Sequence, residues 1–576
     1  MARGRGFNEA YPSPHQYTMK THTTLLAFMA GFQPGKKNSI KRERRPHAKM
    51  NPTHSFKCIA LLTAICLPLS LRAQGAAATA AVPANATATP VTVNAIFGDH
   101  MVLQREMNVP IWGTAGAGDK ITVSFAGQTV TAAADADGKW VAKLSPMKAS
   151  AQSRALIVNG GSRLEIQDVL VGDVWVCSGQ SNMELSAGAP PPPPGTPPPA
   201  KPLNVGLPDA TREQEVAAAN HPTIRFNKIS SVMSLQPANE VKGRWVLSTP
   251  ETMRGFSTAA YFFARELNQR LSVPIGLVGA YYGGANGVSF TRREALLAEP
   301  ELKPQIDALD ARIAQRGPMT DRYTPTVFYN GMIAPLMPFA IKGVIWYQGE
   351  ADTANAPQAG RYATLLQAMI KDWRAQWKQG DFPFIFVQLP TSEPQYPDPT
   401  DSAWARVRES QQKALSVKNT FMIVLLDISG GEKVHAPNKK EVGLRLGAAA
   451  LNEVYGKKDV LYQGPFFKSM EIKDGTAVLS FDHVGSGLVV KNPDGLKGFA
   501  IAGADKNFVW AEARIAGDKI IVSSPSVQEP VAVRYAWADN PIFSVSSKDD
   551  LPLAPFRTDD WAAGTAGKVS NPRASP

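Results

Sequence analysis

Six strand-like runs, most of them apolar throughout and interspersed with helix-patterned segments, dominate the middle of this 576-residue chain. They are V-W-V-C (Val174–Cys177), T-I-R-F-N-K-I (from Thr223), P-I-G-L-V-G-A-Y (to Tyr281), I-K-G-V-I-W-Y (to Tyr347), P-F-I-F-V-Q-L (to Leu389) and F-M-I-V-L-L (to Leu426). A strand with one wet face alternates polar and apolar residues. A strand apolar throughout is covered on both faces, and that cover is supplied by helices crossing over a parallel sheet. The segments between the runs fit such helices, over Ser257–Leu271, Arg361–Trp377, Ser402–Val417 and Lys439–Tyr455. The expected fold is therefore α/β, a three-layer domain over about 169–457.

The flanks read differently. Residues 92–168 and 460–565 carry short alternating runs separated by Gly and Asp turns, such as K-I-T-V-S-F and K-I-I-V-S-S. These predict two small β-sandwich-like modules. The stretch A-P-P-P-P-P-G-T-P-P-P-A-K-P, Ala189–Pro202, predicts a stiff extended surface loop within the central domain.

The formal charge of +12 suggests a polyanionic partner until its distribution is read. The first 73 residues hold twelve Lys/Arg and two Asp/Glu, leaving a net of only +2 on the rest. A near-neutral body has no footprint for nucleic acid. Within the basic front end, Met50 and Lys57 precede an apolar run, Cys58–Leu71, and then small residues near Ala73. That is the layout of a secretory signal over 50–73, too short for stable membrane insertion. Residues 1–49 are read as a mis-called start or a disordered leader, and the mature protein is expected in the periplasm or outside the cell. It would retain Cys177 alone, which excludes an intrachain disulfide and a cysteine zinc site. Cys177 itself is expected to be a buried hydrophobe.

Ligands of open α/β sheets bind beyond the carboxyl ends of the strands. The first run ends at S-G-Q-S-N-M with Ser181. Gly283, Gly284 and Asn286 come after the third run, Gln348, Gly349 and Glu350 after the fourth, and Asp427 and His435 after the last. A hydroxyl, a glycine pair, amides, carboxylates and an imidazole form the inventory for acyl transfer. A serine nucleophile needs a base. Of eight histidines, four precede residue 73, and His100 and His483 lie in the β-rich flanks. His221 precedes a strand, on the wrong edge of the sheet, so His435 is the expected base. The surroundings of Ser181 are not the G-x-S-x-G elbow of α/β-hydrolases, because Met183 holds the last position.

G-Q-S-N-M, Y-N-G-M-I-A-P-L, K-G-V-I-W-Y-Q-G-E and H-A-P-N-K-K-E-V-G-L-R-L resemble, in order and spacing, the sialate O-acetylesterase family of the SGNH hydrolase superfamily. The likeness runs from about Asn94 to Trp561 and includes Y-A-W-A-D-N-P and P-F-R-T-D. It implies a flavodoxin-like SGNH catalytic domain that removes O-acetyl groups from a sugar. Ser181 would be the nucleophile and His435 the base. The backbone N–H groups of Ser181 and Gly284 and the side chain of Gln348 would form the oxyanion hole.

The superfamily often has Asp three residues before the histidine; here the residue is Glu432. Glu432 is the first choice to orient His435, Asp427 and Glu350 are alternatives, and a Ser–His dyad is a further one. Gln180, Asn182, Tyr282, Asn286 and Tyr347 are candidates to bind the substrate. The resemblance implies no metal and no cofactor. An O-acetylated sugar is the expected partner, with acetylated xylan and a non-catalytic glycan-binding role as alternatives.

Overall fold

Residues 89–189, 206–428 and 431–562 are described by a computed structural model. The leader, the signal segment and the proline stretch after Ala189 lie outside them. The central strand β1 (Arg163–Gly179) is 17 residues long. Its first part pairs antiparallel with Ser150–Asn159, and Val102–Gln104 runs parallel to it at Leu170–Gly172. Its second part enters the central sheet with β2 (His221–Lys228), β3 (Trp245–Ser248), β4 (Ile275–Tyr281), β5 (Gly343–Tyr347), β6 (Phe384–Val387) and β7 (Thr420–Ile423). A domain boundary at 168/169 therefore falls inside one continuous strand. Asp168, at φ +53°, marks the bend, and its carboxylate holds His100 and Arg225 at 2.8 and 3.0 Å.

The strand order is β7-β6-β5-β1-β4-β2-β3, parallel throughout except for the antiparallel β2–β3 pair. Without that edge pair the order β4-β1-β5-β6-β7 is the flavodoxin-like 2-1-3-4-5. The helices that matter here are α1 (Ser181–Glu184), α2 (Thr258–Leu271), α3 (Ala356–Trp377), α4 (Ala403–Lys413) and α5 (Lys439–Glu453). Side chains alternate across the sheet as strand geometry requires. Trp175, Cys177, Leu277, Ile345 and Tyr347 pack into one core with α2 and α5. Val174, Val176, Val278, Val344 and Trp346 pack into the other with α3 and α4. Each buried Val, Leu or Phe adds about 1.5–3 kcal/mol of transfer free energy. Cys177 is a fully buried part of this packing, and burial pushes its thiol pKa up.

Caps set the helix starts. Ser257 accepts from the Ala260 N–H at 3.1 Å, and Asn438 accepts from Glu441 at 3.3 Å. Helix α3 begins at Ala356 rather than Arg361, because Asn355 caps it and Pro357 fits its first turn.

Register brings the site together. Tyr281 of β4 and Tyr347 of β5 both pair with Gly179, so three strands end level. Gly179 has φ +133°, and a Cβ there would lie 2.1 Å from the Tyr347 carbonyl oxygen. Only glycine lets β1 turn here. Gly179→Ala is expected to destabilise the protein by about 3 kcal/mol or more, read as a lowered midpoint in urea unfolding.

Beyond α5, Phe466–Lys473, Thr476–Asp482, Lys519–Ser523 and Glu512–Ala516 form one antiparallel sheet. Val509–Trp510, Phe499–Ala502, Ala532–Tyr535 and Phe556–Arg557 form another. The buried Arg408 of α4 ties this region to the central sheet. It donates to the carbonyls of Leu389, Pro390, Ala538 and Asp539. No helix among the described residues is long and apolar enough to cross a membrane.

Candidate active site

Ser181 is the first residue of α1, and Gln180 takes the cap position without a side-chain cap bond. The serine hydroxyl is thus not spent on its own helix. Its Oγ lies 2.8 Å from His435 Nε2, across 254 positions of sequence. Both residues are half-buried. Burial, and then the positive charge of Lys439, lower the His435 pKa, which favours the neutral ring that can accept a proton. His221, at the start of β2 on the opposite edge, has no part in this arrangement.

The loop after β4 passes beside the serine. A Cβ on Gly283 would lie 3.8 Å from Ser181 Cβ, and Gly284 turns with φ +73°. The backbone N–H groups of Ser181 and Gly284 donate to no other described residue. Gln348 is different. It is fully buried, and its Nε2 donates to Asp352 Oδ2 at 2.6 Å, with Gln180 Oε1 and Ala285 O each at 3.2 Å. Its Oε1 accepts from the Tyr362 hydroxyl at 2.8 Å. Its Nε2 faces these inward acceptors, and the amide ties β5 to the loop that carries Gln180.

The three candidate carboxylates separate clearly. Glu432 is exposed and makes no hydrogen bond or ion pair with His435. Asp427 is held in a bidentate pair by Arg445 Nη1 and Nη2 at 2.8 and 2.5 Å. Glu350 is buried and accepts from Asn182 Nδ2. Burial raises its pKa, opposed by that bond and by the charge of Lys439. None of the three contacts the imidazole.

Of the residues expected to bind substrate, Gln180, Asn182 and Tyr347 face inward. Gln180 Oε1 also accepts from the Ala351 N–H, at 3.2 Å. Asn182 Nδ2 donates to the Val434 carbonyl at 3.0 Å as well as to Glu350. The Tyr347 ring lies beneath Lys439 Nζ, 5.3 Å from its centroid. Tyr282 is partly open and stacks on Phe328 at 4.6 Å. Asn286 donates to the Tyr323 carbonyl at 3.4 Å. That bond holds a rim on which the Arg322 guanidinium lies against Gly284. A Cβ on Gly284 would be 3.1 Å from Arg322 Nη1. Arg322 is exposed and forms no ion pair among the described residues, and Tyr323 is 49% exposed beside it.

Three participants were not singled out from sequence. Asp352 anchors Gln348 and accepts from the Gly287 N–H at 2.9 Å. Lys439 is fully buried, with its pKa pushed down to about 7 by burial against the opposing pull of Glu350. Arg322 stands at the rim. The only prior sign of Lys439 is its place four residues after His435, and the Lys-Lys pair there reads as a solvated helix start. Among the described residues no group of three or more His, Cys, Asp or Glu is arranged to hold a metal ion.

The histidine loop is braced from the C-terminal β region. Thr391 Oγ1 donates to Gly431 O at 3.0 Å, and the Glu393 N–H donates to Glu432 O at 3.3 Å. That bracing segment is in turn held by the Asp539 carbonyl and by Asn540 Nδ2, from the D-N-P motif.

Residues 171–452 match the family described as carbohydrate esterase, sialic acid-specific acetylesterase. The sialate O-acetylesterase of Mus musculus is 28% identical over 528 residues, covering 80% of this chain and 92% of the relative. The Homo sapiens sialate O-acetylesterase is 26% identical over 507 residues, covering 80% and 91%. Among solved structures, a carbohydrate acetylesterase from Xanthomonas citri superposes with a TM-score of 0.71 at 36% identity, covering 82% of this chain and all of its own. Given sequence likeness along four-fifths of its length and a shared architecture, this chain belongs to the family of carbohydrate esterases described as sialic acid-specific acetylesterases.

Proposed function

We propose that the protein is an SGNH-type serine esterase that removes O-acetyl groups from an acidic sugar of the sialic acid class, by a Ser181–His435 mechanism. The observation that carries the reading is the 2.8 Å contact between Ser181 Oγ and His435 Nε2 at the carboxyl edge of the sheet. The serine proton passes to Nε2 as Oγ attacks the acetyl carbonyl carbon. The resulting oxyanion is held by the N–H groups of Ser181 and Gly284, each donor contributing about 3–4 kcal/mol to the transition state. The C–O bond to the sugar then breaks, and His435 returns the proton to the leaving alkoxide. Water, deprotonated by the same imidazole, releases acetate and restores the serine.

Arg322 favours an anionic sugar over a neutral polysaccharide. An exposed arginine at the rim that forms no ion pair among the described residues is suited to a substrate carboxylate. The test compares O-acetylated sialic acid with acetylated xylan. Native protein should prefer the former, and Arg322→Ala should raise its KM about tenfold while leaving hydrolysis of a small neutral acetyl ester unchanged. Equal activity on both substrates, indifferent to Arg322, overturns the substrate assignment. Export from the cytosol is part of the same proposal and rests on the apolar run Cys58–Leu71. The mature amino terminus, read by mass spectrometry of secreted or periplasmic protein, should fall near Ala73.

A further inference from the structure

His435 is flanked in sequence by Val434 and Ala436, and the structure holds the backbone carbonyl on each side of it. Asn182 Nδ2 donates to Val434 O at 3.0 Å, and Lys439 Nζ donates to Ala436 O at 2.7 Å. Glu350 interacts with both donors. It accepts the other hydrogen of the Asn182 amide, and its charge pulls on Lys439. The three side chains are buried. Asn182 also directly follows Ser181, so one side chain ties the nucleophile's neighbour to the base's neighbour.

Stability alone does not account for this arrangement. A buried amine and carboxyl lose their hydration, and well-packed apolar residues of similar size commonly do as well or better. The carboxylate has a directional effect instead. An acceptor at Glu350 Oε1 turns the NH₂ end of Asn182 inward, and only that orientation reaches Val434 O.

We propose that Asn182, Glu350 and Lys439 form a positioning clamp that sets the His435 imidazole on the Ser181 hydroxyl by gripping the carbonyls on both sides of it. These are positioning residues. They touch neither the substrate nor the imidazole and act through the backbone of the histidine loop. Because displacement of a reacting group by about 1 Å can cost on the order of 100-fold, the expected effect is on turnover rather than binding. The inference rests on the proposed Ser181–His435 mechanism.

The test uses the full chain with Glu350→Gln, the isosteric change, and Glu350→Gln/Lys439→Met, which leaves no orphan charge. Steady-state kinetics on an acetyl ester should show kcat lowered about 10- to 100-fold with KM within about twofold. Labelling of Ser181 by a fluorophosphonate should slow in parallel, while the Tm of the double variant stays level or rises. A native-like kcat in a folded double variant overturns the clamp. So does a change confined to KM. Failure of both variants to reach a native near-ultraviolet circular dichroism spectrum would make the network a folding element and overturn it equally. Ser181→Ala separates this from the underlying mechanism. If that variant keeps its activity, the esterase mechanism fails. If it is inactive while the clamp variants match native protein, the clamp alone fails.

Discussion

Replacing Ser181 by alanine is expected to lower acetate release by about 10⁶-fold, the scale of losing a serine nucleophile in a hydrolase. The residue retains a fold role too small to confuse the result. It is half-buried at the start of a four-residue helix, and among the described residues its hydroxyl bonds only to His435. Unfolding midpoints of Ser181→Ala and native protein should therefore agree closely. Residual activity should reflect only substrate binding and the remaining N–H donors. Acetate release is measured directly, and a loss of less than tenfold would remove Ser181 from the chemistry.

The second large effect is at His435. His435→Ala should cost nearly as much, and Ser181→Ala/His435→Ala should be little worse than either change alone, because the pair acts as a unit. The base also predicts a pH signature. The imidazole accepts a proton only when neutral, and burial and the Lys439 charge lower its pKa. It therefore stays neutral to a lower pH than a free imidazole. The acidic limb of kcat/KM should have its midpoint below about 6.5, with activity falling as pH drops through it. A limb well above that value would assign the titration to another group.

The fold was legible where burial forces a pattern. Runs such as V-W-V-C can be satisfied only between two helix layers, and they point to the parallel sheet that forms the centre of the molecule. The edge pair β2–β3 was only half visible, since Trp245–Ser248 is just four residues long. The continuity of the strand through residue 168 was not legible, because a strand can change partners without a linker.

The proposed reacting groups, Ser181 and His435, stand out in the sequence, and the side chains around them do not. Sequence places an amide at position 348, but which way it turns depends on Asp352, Gln180 and Tyr362, which reach it from three segments. Asn182 and Gln180 bracket Ser181 in sequence, yet the turn into α1 buries both. Glu432 has the spacing of an orienting acid, and spacing alone does not determine whether a loop side chain turns to the ring or to water. Lys439 reads as one charge of a solvated pair; only the docking of α5 against the sheet buries it, while Lys440 reaches Glu215 at the surface.

The family assignment makes the chain a carbohydrate O-acetylesterase, and the central claim is that the acetyl group passes through the Ser181 oxygen. Native protein mixed with an acetyl ester and quenched in acid within a turnover should yield, on peptide mass spectrometry, an acetyl group on Ser181. That adduct should be absent from His435→Ala. Full turnover with the Ser181 peptide unmodified, or an acetyl group carried on another side chain, would contradict it.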